Sequence, residues 1–168
     1  MKILKIAALT FMAITPLGVA ADDLDTPTGE VILTVSGAIT KQNTDEAAAF
    51  DFDMLAAMPA ESFETTTIWT EGAQSFTGVS LNALLDFVGV DGKLLFASAI
   101  NDYQVEIPIT DATDGGPIVA YLRNGEPMSV RNKGPLWIVY PYDLNKDYQS
   151  ETIYSRSIWQ LDRIEVVQ

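Results

Sequence analysis

The segment 136–140, which reads Leu-Trp-Ile-Val-Tyr, is apolar at every position. A strand that is apolar on both faces is buried on both faces, so it belongs in the interior of a sheet with a neighbour on each side. Pro141 follows directly, and proline is not tolerated in a central strand because it has no N–H to donate. The segment therefore predicts a central strand, around which the remaining chain must supply further strands and covering helices.

Shorter periodic segments predict those further elements. Alternating apolar residues or β-branched content favour strands, and apolar residues at helical spacing favour helices. The predicted strands are residues 30–39, 64–70, 94–99, 103–109, 118–122 and 158–167, and the predicted helices are residues 45–58 and 80–89. Strands outnumber helices and do not alternate with them regularly, so the predicted class is α+β, with a mixed β-sheet and short helices.

The N-terminal segment has the pattern of a secretory signal peptide. Lys2 and Lys5 precede an apolar run over residues 6–19, which small residues follow. Such a run is short for a membrane-spanning helix, which needs about 20 apolar residues, and an uncleaved anchor is the alternative. We expect residues 1–21 to be removed on export to the periplasm, leaving residues 22–168 as one domain.

Charge and composition exclude several classes of function. The sequence has 23 acidic and 10 basic residues, a formal net charge of −13, and this field repels nucleic-acid phosphates and anionic membrane surfaces. It contains no cysteine and no histidine. Catalysis by Ser-His-Asp or Cys-His groups, the usual zinc sites, and the common haem and iron–sulfur sites are therefore excluded.

Several short strings, taken in order over roughly residues 30–166, resemble the molybdopterin-binding domain of the sulfite-oxidase group of oxidoreductases. The strings are Phe76-Thr77-Gly78-Val79-Ser80-Leu81, Asn101-Asp102-Tyr103, Asn124-Gly125-Glu126-Pro127, Gly134-Pro135-Leu136 and Arg156-Ser157-Ile158. Each string alone has an ordinary structural explanation, such as a turn or a helix start. Their order and spacing imply a sulfite-oxidase-type molybdopterin-binding fold for residues 22–168.

The chain departs from that family at the positions that would hold the cofactor. Catalytic members bind molybdenum through one cysteine thiolate, expected shortly before residues 76–81, where this chain has threonines and Trp69. Family enzymes tend to carry Arg where Trp137 stands and Lys where Trp159 stands. The resemblance therefore implies a non-catalytic binder of a free, reduced, phosphate-free pterin. The alternative is a molybdenum-cofactor oxidoreductase with an atypical metal ligand.

A pterin site needs an aromatic or apolar face, a carboxylate for the 2-amino edge of the ring, and donors for the ring carbonyl and nitrogens. Nine residues are the candidates for these roles: Trp69, Thr70, Glu71, Asp102, Tyr103, Arg131, Lys133, Arg156 and Ser157. No residue is predicted to be catalytic or to bind a metal.

The main candidates also have ordinary structural interpretations. Trp69 is equally typical of a core, whereas an acid in a turn, such as Asp102, is normally a turn former. Arg131 and Lys133 are equally compatible with ion pairs on the surface. Arg156 is the most direct match to the family strings, and an exposed strand edge is its alternative.

A binder without catalytic groups needs a partner that responds to the bound ligand. The simplest partner is the periplasmic domain of a transmembrane signalling protein. An assembly protein that uses the fold only as a platform is a further alternative. In that case residues 143–151, part of a tyrosine-rich segment predicted to be a solvated loop, would carry the contact.

Overall fold

The computed structural model describes residues 24–168, so the predicted signal peptide at residues 1–21 lies outside the described residues. Within the described range, no helix is both long enough and apolar enough to cross a membrane. The domain predicted to begin at residue 22 is described here from Leu24 onward.

Ten strands join into one sheet in the described range, and three short α-helices cover it. The strands are β1 (Val31–Gly37), β2 (Ala47–Asp51), β3 (Ala60–Thr66), β4 (Ala73–Ser80), β5 (Leu94–Ala99), β6 (Gln104–Pro108), β7 (Ile118–Arg123), β8 (Glu126–Pro127), β9 (Leu136–Val139) and β10 (Trp159–Val167). The helices are α1 (Phe52–Ala57), α2 (Leu81–Val88) and α3 (Glu151–Arg156).

The sheet is mixed, as the sequence predicts. Its main path runs β2-β1-β10-β9-β7-β4-β3, with the β5–β6 hairpin attached to β10 and β8 attached to β7. β1 pairs with β10 in parallel, and the other pairings are antiparallel. The predicted class, α+β with a mixed sheet and short helices, is confirmed.

The central strand predicted at residues 136–140 is β9. All four of its residues are fully buried, and it lies between β10 and β7. The predicted helix at residues 80–89 is α2, whose Leu81, Leu84, Leu85 and Val88 are buried, and Gly89 ends it with a φ of 68°. A left-handed residue at this position closes a helix, and glycine adopts it without a steric penalty.

The predicted helix at residues 45–58 is wrong for its first half. The alanine-rich segment forms β2, which pairs antiparallel with β1 and is buried throughout, and only Phe52–Ala57 is helical. Alanine has a high helix propensity, but burial against a neighbouring strand overrides that weak preference. Asp51 ends the strand and caps α1, because its Oδ1 accepts a hydrogen bond from the Met54 N–H at 2.9 Å.

Further segments also differ from the prediction, among them residues 73–80, which form the strand β4 where no strand is predicted. The threonine-rich strand, expected at residues 64–70, runs instead over Ala60–Thr66, so Trp69 lies in the turn that joins β3 to β4. The Trp69 N–H donates to Thr67 Oγ1 at 3.1 Å, a local bond that favours a turn over a ladder. The expected loop before residue 156 contains α3, for which Ser150 accepts a hydrogen bond from the Ile153 N–H.

The hydrogen bonds of Asp51 predict how the free energy of unfolding depends on pH. Hydrogen bonds from the backbone N–H groups of Met54, Gly29 and Thr28 hold the pKa of its carboxyl below the usual value. A carboxyl whose pKa falls on folding stabilises the folded state above about pH 4, and this contribution disappears as the pH falls through the folded pKa. We expect Asp51→Asn to lower the free energy of unfolding at pH 7, measured by urea denaturation, and the difference from the parent to shrink below about pH 4.

Asp45→Asn is the control, because Asp45 is an exposed aspartate two residues before β2 begins. It should leave the unfolding free energy nearly unchanged at both pH values. A deficit in Asp51→Asn that is as large at pH 3 as at pH 7 would show that the carboxylate charge is not what the three N–H groups stabilise.

Candidate functional site

A pocket of about 420 Å³ opens where the β3–β4 turn, the β5–β6 turn, the end of α3 and the start of β10 meet. Its lining consists of Trp69, Ala99, Asn101, Tyr103, Tyr154, Ser155, Ser157, Ile158, Trp159 and Gln160. This volume is within the range of about 300–1,000 Å³ that small-molecule sites occupy. Aromatic rings and neutral polar groups form the wall, and the lining contains no Asp, Glu, Lys or Arg.

Trp69 is at the centre of an aromatic cluster behind this pocket. Its ring centroid lies 5.3 Å from that of Trp159, 5.8 Å from that of Trp137 and 5.9 Å from that of Tyr154, each in an edge-to-face arrangement. Edge-to-face contacts at these distances are the favoured geometry of aromatic pairs. The cluster contains all three tryptophans of the sequence, so the intrinsic tryptophan fluorescence of the protein reports on this site alone.

An irregularity at the start of β10 shapes the pocket. Trp159 pairs with Trp137 and Leu161 pairs with Leu136, so Gln160 is an extra residue in the ladder, a β-bulge. Gln160 has a φ of 53°, its N–H donates to the Lys133 carbonyl, and its own carbonyl accepts from the Ile100 N–H. The bulge therefore ties three chain segments together and directs Trp159 and Gln160 into the pocket wall.

Strained backbone is concentrated around this bulge. Of the four non-glycine residues with positive φ in the described part of the chain, Gln160 lines the pocket, Asp102 lies between two lining residues, and Lys133 bonds to Gln160. Such conformations cost about 1–3 kcal/mol each and are most common at functional sites. This distribution independently favours the pocket as the functional site.

Three of the nine predicted site residues line the pocket, namely Trp69, Tyr103 and Ser157. Ser157 is buried, accepts a 2.6 Å hydrogen bond from the Tyr142 hydroxyl and donates to the Ile153 carbonyl at 2.9 Å. Burial raises the pKa of the Tyr142 hydroxyl, so this group stays protonated and acts as a donor. Ser157 therefore joins the pocket to the core through its side chain.

The two predicted carboxylates do not line the pocket. Asp102 forms an ion pair with Arg163 at 2.7 Å and lines a polar groove on the other side of the β5–β6 turn. Glu71 and Thr70 follow Trp69 in the β3–β4 turn, where Thr70 Oγ1 is hydrogen-bonded to Thr67 Oγ1 at 2.8 Å. Among the lining residues, Asn101 and Gln160 have amide oxygens that could accept hydrogen bonds in place of a carboxylate.

Arg156 lies outside the pocket, in the last turn of α3. Its Nη1 bonds to both carboxylate oxygens of Asp111, at 3.1 and 2.9 Å, and the buried Tyr140 hydroxyl donates to the same carboxylate at 2.8 Å. Burial raises the pKa of Tyr140, which keeps that hydroxyl a donor. Arg156 also lines a smaller cavity of about 310 Å³ on the opposite side of Tyr103.

Lys133 lies beside the pocket without lining it, and Arg131 is two residues before it in the chain. Lys133 places its Nζ 4.0 Å from the centroid of the Trp159 ring and 5.5 Å from that of Trp137. A cation over an indole face is attracted by the ring electrons. Arg131 is exposed and belongs to the 3-10 turn Val130–Asn132 that leads into Lys133.

The sequence reasoning did not identify seven of the lining residues. These are Ala99, Asn101, Tyr154, Ser155, Ile158, Trp159 and Gln160. The sequence marks Trp159 only as the loss of a cation, and it predicts no helix at residues 151–156, where Tyr154 and Ser155 lie. The Ser-Glu pair at residues 150–151 is a typical helix start and was the signal that could have placed Tyr154 and Ser155 on a helix.

Comparisons with known proteins agree with the fold. A family model described as the oxidoreductase molybdopterin binding domain matches residues 33–144. Among solved structures, the chain is similar to the sulfane dehydrogenase SoxCD from Paracoccus pantotrophus, with a TM-score of 0.60 and 20% sequence identity. This similarity covers 80% of the present chain but only 37% of the SoxCD chain, and an identity this low shows the fold alone. No curated protein matches the sequence.

The aromatic cluster predicts that alanine substitutions of Trp137 and Trp69 lower the free energy of unfolding by different amounts. Trp137 is fully buried in β9, and replacing a buried tryptophan with alanine costs about 3–5 kcal/mol. Trp69 lies in a turn and is partly exposed on the pocket side, so we expect Trp69→Ala to cost clearly less in urea denaturation. Ile68→Ala, in the same turn and exposed, is the control and should change stability by less than about 0.5 kcal/mol. Equal losses of unfolding free energy for Trp137→Ala and Trp69→Ala would contradict the placement of Trp69 in a partly exposed turn.

Proposed function

We propose that this chain, which belongs to the oxidoreductase molybdopterin-binding domain family, is a non-catalytic binding protein for a reduced pterin. The observation that carries the proposal is the pocket beside Trp69, with aromatic walls and neutral polar groups at its edge. A pterin is a flat, polar heterocycle of a size that such a pocket accepts.

The residues of the pocket suit the two parts of a pterin. Trp69, Trp159 and Tyr154 offer apolar ring surface against which the heterocycle can pack. The Gln160 amide nitrogen donates to the Val130 carbonyl, which leaves its amide oxygen as an acceptor for the 2-amino edge. The Asn101 oxygen accepts from the Tyr103 N–H, which leaves its amide nitrogen as a donor for the ring carbonyl.

The same residues do not fit a molybdenum centre. The pocket offers hydroxyl, amide and indole groups, whereas a high-valent molybdenum ion bound through a thiolate needs a cysteine, which the sequence lacks. In residues 24–168, no group of three or more Asp and Glu side chains is arranged to hold a metal ion. Three indole rings pack within 6.2 Å of one another, centroid to centroid, in this part of the domain.

The proposal includes where the protein works and what it communicates with. Cleavage of residues 1–21 would place the domain in the periplasm, where the bound pterin would be sensed by the periplasmic domain of a transmembrane signalling protein. The basic and apolar N-terminal residues support export. The lack of cysteine and histidine supports a role in binding without catalysis. The test is retention of the loaded chain, and not of the ligand-free chain, on the purified sensor domain.

Titration calorimetry with a reduced pterin that carries a neutral polyhydroxyl tail tests ligand binding. We expect saturable heat, and a gain in unfolding free energy of about 2.7 kcal/mol at a free ligand concentration of about 100 times the dissociation constant. Tyr103→Ala should weaken binding by about tenfold, because it removes an aromatic wall. Tyr103 is 57% exposed, so the variant should keep its stability.

Ile68→Ala is the matched control, because Ile68 is adjacent to Trp69 in the chain but does not line the pocket. It should bind the pterin as the parent does. The absence of heat and of stabilisation with every reduced pterin tested would reject the proposal. Stoichiometric molybdenum, measured by elemental analysis of protein purified from its own host, would reject it in favour of the oxidoreductase alternative.

A further inference from the structure

A second, larger groove lies between α1, α2 and the N-terminal segment 24–28. Its volume is about 1050 Å³, at the upper limit of the range of about 300–1,000 Å³ that small-molecule sites occupy. Its apolar lining includes Met54, Ala57 and Met58 at α1, and Ala83 and Phe87 of α2. A groove of this size with helices on two sides suits a segment of a polypeptide better than a compact ligand.

This apolar lining is only partly covered by the rest of the domain. Leu55 of α1 is fully buried, whereas Met54, Met58, Ala83 and Phe87 contact the core and remain partly exposed. Methionine side chains are flexible and polarizable, and they are common on surfaces that bind other proteins. The folding of residues 24–168 therefore leaves apolar surface in the groove for a further molecule to cover.

The rim of the groove is acidic. Asp25, Asp53 and Asp86 line it and are exposed, and its lining contains no Lys or Arg. None of these three carboxylates takes part in the salt bridges of residues 24–168. The lining of the pocket beside Trp69 has no charged residue, so the two sites attract different classes of molecule. Charge complementarity favours an occupant that carries Lys or Arg beside an apolar stripe.

The Phe87 ring in the groove wall already contacts a cation. Lys41, which does not line the groove, places its Nζ 4.9 Å from the centroid of this ring. A cation near an aromatic face is attracted by the ring electrons. The ring centroid of Phe87 also lies 6.3 Å from that of Phe50, which is almost fully buried. This wall of the groove is therefore compatible with a basic neighbour.

We propose that the groove between α1 and α2 binds a basic amphipathic helix of a partner protein. The apolar stripe of that helix packs against Met54, Met58 and Phe87, and its Lys or Arg side chains pair with Asp53 and Asp86. Amphipathic helices dock in apolar grooves in this way, through anchors at positions i, i+3, i+4 and i+7. The acidic rim provides the specificity, because it repels a helix whose polar face is acidic.

The groove and the pocket lie at opposite ends of the β3–β4 ladder. α1 precedes β3 and α2 follows β4, and Ala60 pairs with Val79 at this end. Thr66 pairs with Ala73 at the other end, beside the turn that contains Trp69. A ladder of this length spans about 20 Å, and the two linings share no residue. The chain can therefore hold a ligand and this partner together, and the inference does not depend on the ligand being a pterin.

Fluorescence anisotropy with a labelled synthetic peptide tests the groove, using the full chain purified from its own host. The probe has about 18 residues, five helical turns, with Leu at the apolar positions of one face and Lys at the others. We expect it to bind saturably, and more weakly as the salt concentration rises, because exposed charges are screened. A peptide of the same composition in scrambled order, which has no apolar face, should bind at least about tenfold more weakly.

Ala57→Arg tests the position of the helix. It places a long cation in the groove, so we expect the affinity for the amphipathic peptide to fall by at least about tenfold. Ala57 is exposed and arginine has a high helix propensity, so the variant should fold. Ala56→Arg is the matched control, because Ala56 is the neighbouring exposed residue of α1 and does not line the groove. It adds the same charge and should bind the peptide as the parent does.

The double variant Asp53→Asn, Asp86→Asn tests the rim. Removing two exposed ion pairs should weaken peptide binding by about tenfold. Glu64→Gln with Asp147→Asn is its control, because both residues are exposed outside the groove and the net charge changes equally. This control should keep the affinity of the parent.

Three results would overturn the inference: no binding of the amphipathic peptide, equal binding of the scrambled peptide, or equal affinities of Ala57→Arg and Ala56→Arg. Self-association in sedimentation velocity that only Ala57→Arg removes would make a second copy of the chain the occupant instead. Binding that appears only after removal of residues 1–23 would assign the groove to those residues. Ala57→Arg should bind reduced pterin as the parent does, so failure of this inference and failure of the proposed function are measured separately.

Discussion

β10 forms backbone hydrogen bonds with three strands, in parallel with β1 and antiparallel with β5 and β9. A strand with partners on both edges has little freedom in its register, because a slip by one residue would turn its buried side chains to the other face. The bulge at Gln160 is the one place where the β10–β9 ladder admits an extra residue. The pocket lies at this point because the interrupted ladder allows side chains at the start of β10 to turn out of the sheet.

The parts of the fold that the sequence predicts are those with a strong local pattern. The apolar run of β9, the β5–β6 hairpin and the amphipathic α2 with Gly89 after it all follow from neighbours in the chain. The error at residues 45–58 has a different origin. The alanines of β2 carry a helical preference, and only their pairing with β1, some ten residues earlier, makes them a strand. Single-residue patterns contain no information about that partner.

The candidate site was predicted only in part for the same reason. Trp69, Tyr103 and Ser157 are distant in sequence and come together at the pocket. The sequence also marks Trp69, Trp137 and Trp159 as three separate departures from the family, two of them lost cations. In the structure they are one cluster, with ring centroids 5.3–6.2 Å apart, and Lys133 brings a cation back to it from a different position. The sequence at positions 137 and 159 shows that a cation is missing there, but it cannot show that Lys133 places a cation against the same rings.

Arg156 illustrates how a motif residue can contribute to a pocket without lining it. Its Nη1 is bound to the Asp111 carboxylate, which also accepts from the buried Tyr140 hydroxyl in the residue after β9. Both Arg156 and Asp111 are mostly buried, so removing one would leave the other charge without a partner, which is costly. Because α3 supplies Tyr154 and Ser155 to the pocket, this ion pair fixes the position of one wall. Arg156 in this arrangement positions the pocket wall and does not line it.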